Sequence, residues 1–379
     1  MRILLAPDSF KGSLPASAVA RAMERGIRKV CPQCTVMKRP LADGGEGTAA
    51  LLKEYFGART YVVKVEGPLG KSITASYGIY EQTAIFDVAS VIGLPLLAGN
   101  QRNPLKTSTY GVGELIIDAL EKGVRSFIVG LGGSSTNDGG IGMLQALGVQ
   151  MLTEDGHPVS PNGAGLKEIA QIDVTTLDNR LTDCQFTVIT DGDNCLLGKK
   201  GATYVYGPQK GATREMVREL EDGMSNYARV IKEQLNKDVT TVSGGGAAGG
   251  LGVAFYTFLQ ARLEQGIEYL MKVTKLEEEM AKADFVFTGE GSIDEQTVYG
   301  KALAGVARLS KAYHLPVLAF TGAKNIATES LCELGLEAVF PILPRPMPLE
   351  EALVKTEVFI EEAVENVMRL LILSKRRGN

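Results

Sequence analysis

The chain has 379 residues, enough for about two domains of ordinary size. Its apolar fraction of 45% can fill a sizeable core, and a net charge of −4 lacks the basic excess of nucleic-acid binders. No apolar run reaches the ~20 residues that span a bilayer, and the apolar stretch at 3–6 is too short for a secretory signal, so a cytoplasmic protein using neither membrane nor nucleic acid is expected.

In chain order, residues 3–6 read as a short buried strand. Residues 16–30 carry Val19, Met23 and Ile27 on one helical face. Strands follow at 36–37 and 60–65, separated by a helix near 48–56. Residues 73–80 and 83–88 read as a hairpin joined by Glu81-Gln82, hence antiparallel. Then come a helix near 114–122, strands at 127–129 and 186–189, a long helix at 214–235 and another at 253–259. The last third alternates again: strand 285–288, helix 301–312, strands 316–321 and 338–340, and a closing helix 349–373. Strand–helix alternation at both ends implies a parallel sheet covered by helices. The fold class expected is α/β: a Rossmann-like domain, discontinuous in sequence at 1–66 and 284–379, with a mixed α/β domain inserted at 67–283. The Pro-rich stretch 341–348 reads as a stiff connector.

Five cysteines make no disulfide framework at this length. Cys31 and Cys34 read as two reduced thiols at a helix end, because Cys184, Cys195 and Cys332 supply no second ligand pair for zinc. The two histidines, His157 and His314, lie in turn-like contexts without a nucleophile or carboxylate arranged around them. Acid–base chemistry then falls to carboxylates, lysine or a metal.

Glycines gather beside acidic residues at strand ends, where open α/β sheets bind ligands. Asp8, Ser9, Lys11 and Ser13 follow the first strand and precede a helix. Lys11 offers a point charge to a phosphate or carboxylate. Asp43-Gly44-Gly45-Glu46-Gly47 again joins strand to helix, with two carboxylates able to hold Mg²⁺ or orient a hydroxyl. Gly132 to Gly140, through Gly133, Ser134, Ser135, Asn137 and Asp138, combines hydroxyls and unobstructed amides, as a phosphate cradle requires. Asp191 and Asp193 follow the 186–189 strand, but Leu196 occupies the position an EF-hand gives to glycine. Gly289-Glu290-Gly291-Ser292-Ile293-Asp294 places two carboxylates about a glycine turn. The sixth stretch, 243–252, suits close helix packing as well as phosphate binding. A Walker loop is absent, since Val65 stands where its first glycine belongs, and no protein-kinase motif appears.

Together these loops resemble those of the type I glycerate kinases, which include bacterial glycerate 2-kinases. The matching stretches are 6–13, 42–48, 110–116, 132–140, 207–212 and 288–294, in the family's order. The chain departs at Thr190-Asp191-Gly192-Asp193-Asn194-Cys195, where a Cys-Asp-Val-Asp-Asn-Pro-like run is expected, and lacks a proline near Ser243. The resemblance implies a two-domain fold with a discontinuous Rossmann-like domain. It also implies transfer of the ATP γ-phosphoryl group to D-glycerate, giving 2-phosphoglycerate.

Within that reading, Asp191 and Glu290, with Asp294 behind them, are expected to hold Mg²⁺. Lys11 neutralises the transferring group or the glycerate carboxylate. Asp43, or next Asp8, takes the hydroxyl proton. Ser9, Gly44, Gly45, Glu46, Gly133, Ser134, Ser135, Asn137, Asp138, Gly289 and Ser292 contact substrate or phosphate. The sequence leaves open whether the chain forms a homo-oligomer. A non-catalytic sensor of small acids, or a phosphatase on the same scaffold, are the other classes such a fold serves.

Overall fold

A computed structural model describes residues 1–45, 47–298 and 302–377. Glu46, expected at the site, and Lys301, expected to open a helix, lie outside the described residues. The strands, in chain order, are β1 (Arg2–Leu5), β2 (Thr35–Lys38), β3 (Arg59–Glu66), β4 (Ser72–Tyr80), β5 (Thr83–Asp87), β6 (Ser126–Gly130), β7 (Gln150–Leu152), β8 (Gln171–Asp173), β9 (Gln185–Thr190), β10 (Arg262–Gln265), β11 (Phe285–Ile293), β12 (Val317–Lys324) and β13 (Ala338–Pro341). The described chain packs as two units, Met1–Asp43 with Ile267–Asn379, and Gly44–Gly266. Sequence alternation had placed the junctions at 66/67 and 283/284. The first falls earlier because β3 pairs along its length with β4, and the helix Thr48–Phe56 packs on β4 and β5. The second falls earlier because Arg39 donates to the Thr274 carbonyl and to Glu279, which ties that stretch to unit one.

Unit one holds a five-stranded sheet in the order β13-β12-β11-β1-β2, every pair parallel. Ile3, Leu4 and Leu5 are fully buried, as a central parallel strand covered on both faces requires. Val19, Met23 and Ile27 of the helix Ala16–Val30 are buried too, against Ile360, Val364 and Met368 of the closing helix Leu349–Arg377. Gly26 permits that approach, since a Cβ there would lie 2.5 Å from the Glu361 carbonyl oxygen. One expectation is corrected: Cys31 and Cys34 form a disulfide. The helix stops at Cys31, and the turn into β2 brings the two Cα atoms to 5.4 Å, within disulfide range.

Unit two holds a six-stranded mixed sheet, β10-β9-β6-β5-β4-β3. Strands β5, β6, β9 and β10 are parallel, and β3–β4–β5 are antiparallel, with Glu81 left-handed (φ 52°) at the expected hairpin turn. Its core includes Phe86, Phe127, Phe186 and Phe255, with the rings of Phe127 and Phe186 stacked at 4.5 Å. A separate antiparallel pair, β7 with β8, was not legible in the sequence because each strand is only three residues long. Among the described residues no helix is long and apolar enough to cross a membrane.

Candidate active site

In unit one the ends of β1 and β11 assemble a charged cluster. The amide of Asp8 donates to the carbonyl of Gly289 at 2.8 Å, which fixes the first loop against β11. The Asp8 side chain accepts from the amide of Ser9. Lys11 is largely exposed, and its ammonium meets Asp43 Oδ2 at 2.8 Å. Glu290 is buried and accepts a hydrogen bond from Thr297 Oγ1 at 2.7 Å. Burial, then the carboxylates of Asp43 and Glu290, push Asp8 up to about 7, against the pull of Lys11. A cleft of about 370 Å³ opens here. Asp8, Ser9, Lys11, Glu290, Ser292 and Asp294 form its polar side, and Phe10, Ile342, Leu343 and Leu353 its apolar side. Gly289 serves the sheet: a Cβ there would stand 2.3 Å from the Phe320 carbonyl oxygen.

The glycines after Asp43 have structural work in unit two. Gly44 is left-handed (φ 99°), and a Cβ there would fall 2.5 Å from the Thr190 carbonyl oxygen. The carbonyl of Gly45 accepts from Thr48 Oγ1 at 2.8 Å. Asp87, at the end of β5, accepts from the amides of Gly47 and Ala49 and so completes the N-terminus of the helix Thr48–Phe56.

A second cleft, about 170 Å³, lies in unit two at the carboxyl ends of the neighbouring strands β6 and β9. Gly132, Gly133 and Ser134 line one side, Asp191 and Asn194 another, and Tyr206, Gln209 and Lys210 a third. The 132–140 loop is held from inside. Ser135 Oγ donates to the Ile92 carbonyl at 2.8 Å. Asn137 Nδ2 donates to Thr203 Oγ1 at 3.1 Å. Asp138, fully buried, accepts from the amide and hydroxyl of Thr109 (both 2.8 Å) and from the amide of Gly140 (3.1 Å). Burial raises its pKa, opposed by those bonds. The side chains of Ser135 and Asp138, expected to meet phosphate, are thus spent on loop shape, and Asn137 is held through Nδ2 while its buried Oδ1 has no partner among the described residues; Gly133 and Ser134 face the cleft.

Sequence reasoning missed Lys210. It was visible only as the lysine of the Gly207-Pro208-Gln209-Lys210-Gly211 turn. It is 2% exposed, and its ammonium donates to Ser134 Oγ at 3.0 Å and to the Thr136 carbonyl at 2.7 Å. Burial pushes it down to about 7, with Asp138 pulling the other way. Beside it Ala248 (φ 51°), Gly249 and Gly250 are successively left-handed. A Cβ on Gly249 would stand 2.2 Å from the Thr136 carbonyl oxygen, so the 243–252 stretch serves close packing against this loop.

For a metal, the sequence grouped Asp191 with Glu290 and Asp294. Asp191 lines the unit-two cleft, and the other two line the unit-one cleft. Among the described residues no three His, Cys, Asp or Glu side chains gather as a metal cage. Mg²⁺ needs only one or two protein carboxylates when a nucleotide supplies further oxygens. Asp8, raised first by burial and then by the carboxylates of Asp43 and Glu290, is the donor chemistry such a cation relieves.

Clefts at the carboxyl ends of parallel strands, one lined by carboxylates and Lys11 and one by a buried lysine, make this an α/β protein with clefts where such sheets bind small ligands. Comparison with known proteins narrows the class. The chain belongs to the glycerate kinase family, whose model matches residues 3–372, and it is accordingly a kinase. It is 47% identical to a glycerate kinase of Halalkalibacterium halodurans over 96% of this chain and 97% of that protein. It is 42% identical to a protein of Escherichia coli K12 named glycerate 2-kinase, over the whole of both. A crystal structure assigned to a glycerate kinase 2 of Salmonella typhimurium LT2 superposes with a TM-score of 0.88, at 42% identity over 99% of each chain.

Proposed function

We propose that this kinase transfers the γ-phosphoryl group of ATP to the 2-hydroxyl of D-glycerate, releasing 2-phosphoglycerate and ADP in the cytoplasm. The observation that carries the reading is the cluster of Asp8, Lys11, Asp43 and Glu290 at adjoining strand ends, in a chain of this family. The name glycerate 2-kinase on the Escherichia coli relative supports the choice of hydroxyl.

Phosphoryl transfer asks a protein for positioning and charge neutralisation more than for covalent chemistry. Mg²⁺ accompanying ATP offsets phosphate charge, and Asp8 and Glu290 are the side chains that would hold it, with Asp294 behind them. The apolar side of the unit-one cleft, Phe10 with Ile342, Leu343 and Leu353, suits a purine base. Lys11 neutralises the transferring phosphoryl group, and Ser9 and Ser292 donate to phosphate oxygens. Asp43 positions Lys11. Asp191, which lines the unit-two cleft with Ser134 and Lys210, takes the hydroxyl proton. Gly133 and Ser134 contact the acceptor.

The test is ADP release from MgATP with and without D-glycerate, with phosphorus NMR of the product. Glycerate-dependent ADP and a 2-phosphoglycerate signal are expected. Phosphate release without ATP consumption would replace the kinase reaction with a phosphatase one. In the same assay Asp191→Asn should lower kcat by about 10²-fold or more, the usual scale of a general base. An unchanged kcat in folded protein removes Asp191 from the role.

A further inference from the structure

Lys210 is a buried amine whose charged form has no counter-charge in contact. Its ammonium has three N–H bonds, and the described residues supply two acceptors, both neutral: Ser134 Oγ and the Thr136 carbonyl. No carboxylate lies within 4 Å of it among the described residues. Asp138 is buried nearby, but its oxygens are bonded to Thr109 and Gly140. An ammonium taken out of water without an ion pair is costly, and a protein that keeps one beside a cleft gains when an anion arrives.

We propose that Lys210 binds the carboxylate of the hydroxy-acid acceptor, and that the unit-two cleft is the acceptor pocket. The inference rests on the glycerate kinase reading above. Three features favour a small carboxylate over the phosphates of a nucleotide. The cleft is about 170 Å³, on the scale of a three-carbon acid and less than half the volume of the unit-one cleft. Asp191, Asn194 and Gln209 line it, suited to hydroxyls, and Asp191 would repel a polyphosphate. Ser134 Oγ accepts from Lys210, so its own O–H remains to donate to a carboxylate oxygen. Lys210 therefore holds one end of the acceptor while Asp191 faces its hydroxyls.

The test measures kinetic constants and thermal shifts for wild type and Lys210→Met, with Lys210→Gln as a second neutral variant that retains a donor. Loss of a charge-assisted bond in a desolvated site predicts KM for D-glycerate raised about 10²-fold or more, and KM for ATP changed less than about threefold. Removing an unpaired buried charge predicts an apo melting temperature at or above that of wild type. The stabilisation by D-glycerate should vanish while that by MgATP persists. A raised KM for ATP with glycerate unaffected would overturn the assignment and make the cleft a phosphate site. So would a lowered melting temperature with both KM values intact, the mark of a structural strut. If wild type is stabilised by glycerate but releases no ADP, the kinase reading falls, while the thermal shifts still decide Lys210.

Discussion

Asp8 shows how one buried carboxylate couples the site to stability. Unfolded, it ionises near its ordinary value of 3.8, and folded only near 7. Between those values the folded chain keeps a proton that the unfolded chain has released. Stability therefore falls as pH rises through that window, by up to about 4 kcal/mol for this group. Asp8→Asn should match wild type near pH 4 and melt higher than wild type at pH 8. If Asp8 holds Mg²⁺, millimolar Mg²⁺ should raise the melting temperature of wild type at pH 8 and that of Asp8→Asn far less. A variant that melts below wild type at pH 8 would mean that the carboxylate stabilises the fold instead. At this scale the sequence places side chains near one another where they sit at or just after a strand end, as with Asp8, Lys11 and Glu290, which line one cleft. It was silent where burial decides. Ser135, Asn137 and Asp138 look like ligands in one dimension, and only packing turns them inward. Lys210 looks like a solvated turn residue until the loop at Ser134 closes over it.

Among the elements, the helix Tyr110–Glu121 shows why a motif can be distinctive without touching a ligand. Its opening run Tyr110-Gly111-Val112-Gly113 belongs to the stretches that resemble the family, and its glycines face backbone. A Cβ on Gly111 would stand 1.8 Å from the Glu66 carbonyl oxygen at the end of β3, and one on Gly113 2.6 Å from that of Met143. Neither neighbour is a flexible side-chain tip, so the helix must move away. Gly111→Ala should destabilise unit two by roughly 2–4 kcal/mol while leaving both KM values of the remaining folded enzyme unchanged. Urea titration followed by tryptophan-free probes such as circular dichroism checks the first part, and steady-state kinetics below the transition the second. A changed KM with unaltered stability would give the motif a direct ligand role. The hydrophobic periodicity behind β1, β11, β12 and the long helices could be read because each buries a full face. The β7–β8 pair could not, since three residues carry no period. The disulfide escaped for a related reason: a CxxC becomes a crosslink only when the turn after the helix brings its ends together, and spacing does not report the turn.

For the whole molecule, the division into two units makes the assignment of substrates observable without a variant. Each unit has its own sheet and core, so a ligand that binds one should slow opening of that unit's loops first. With hydrogen exchange read by mass spectrometry, MgATP alone should protect the segments around 8–14 and 288–294. D-glycerate alone should protect those around 131–136 and 191–195. The amides of 8–14, 131–136 and 191–195 lie beyond strand ends, and those of 288–294 occupy the last residues of β11 and the position after it, where exchange is governed by local opening. The protection expected is therefore the ligand's own binding term, about 2.7 kcal/mol at a hundredfold excess over Kd. Crossed protection, with MgATP slowing 131–136 and glycerate slowing 8–14, would place the nucleotide beside Lys210 and reverse the roles of the clefts. Protection of both segment sets by either ligand alone would mean that the units do not respond separately. Binding free energy given to one loop set would then be shared by the other, and the roles argued for Lys11 and Lys210 would have to be read from the kinetics of their variants.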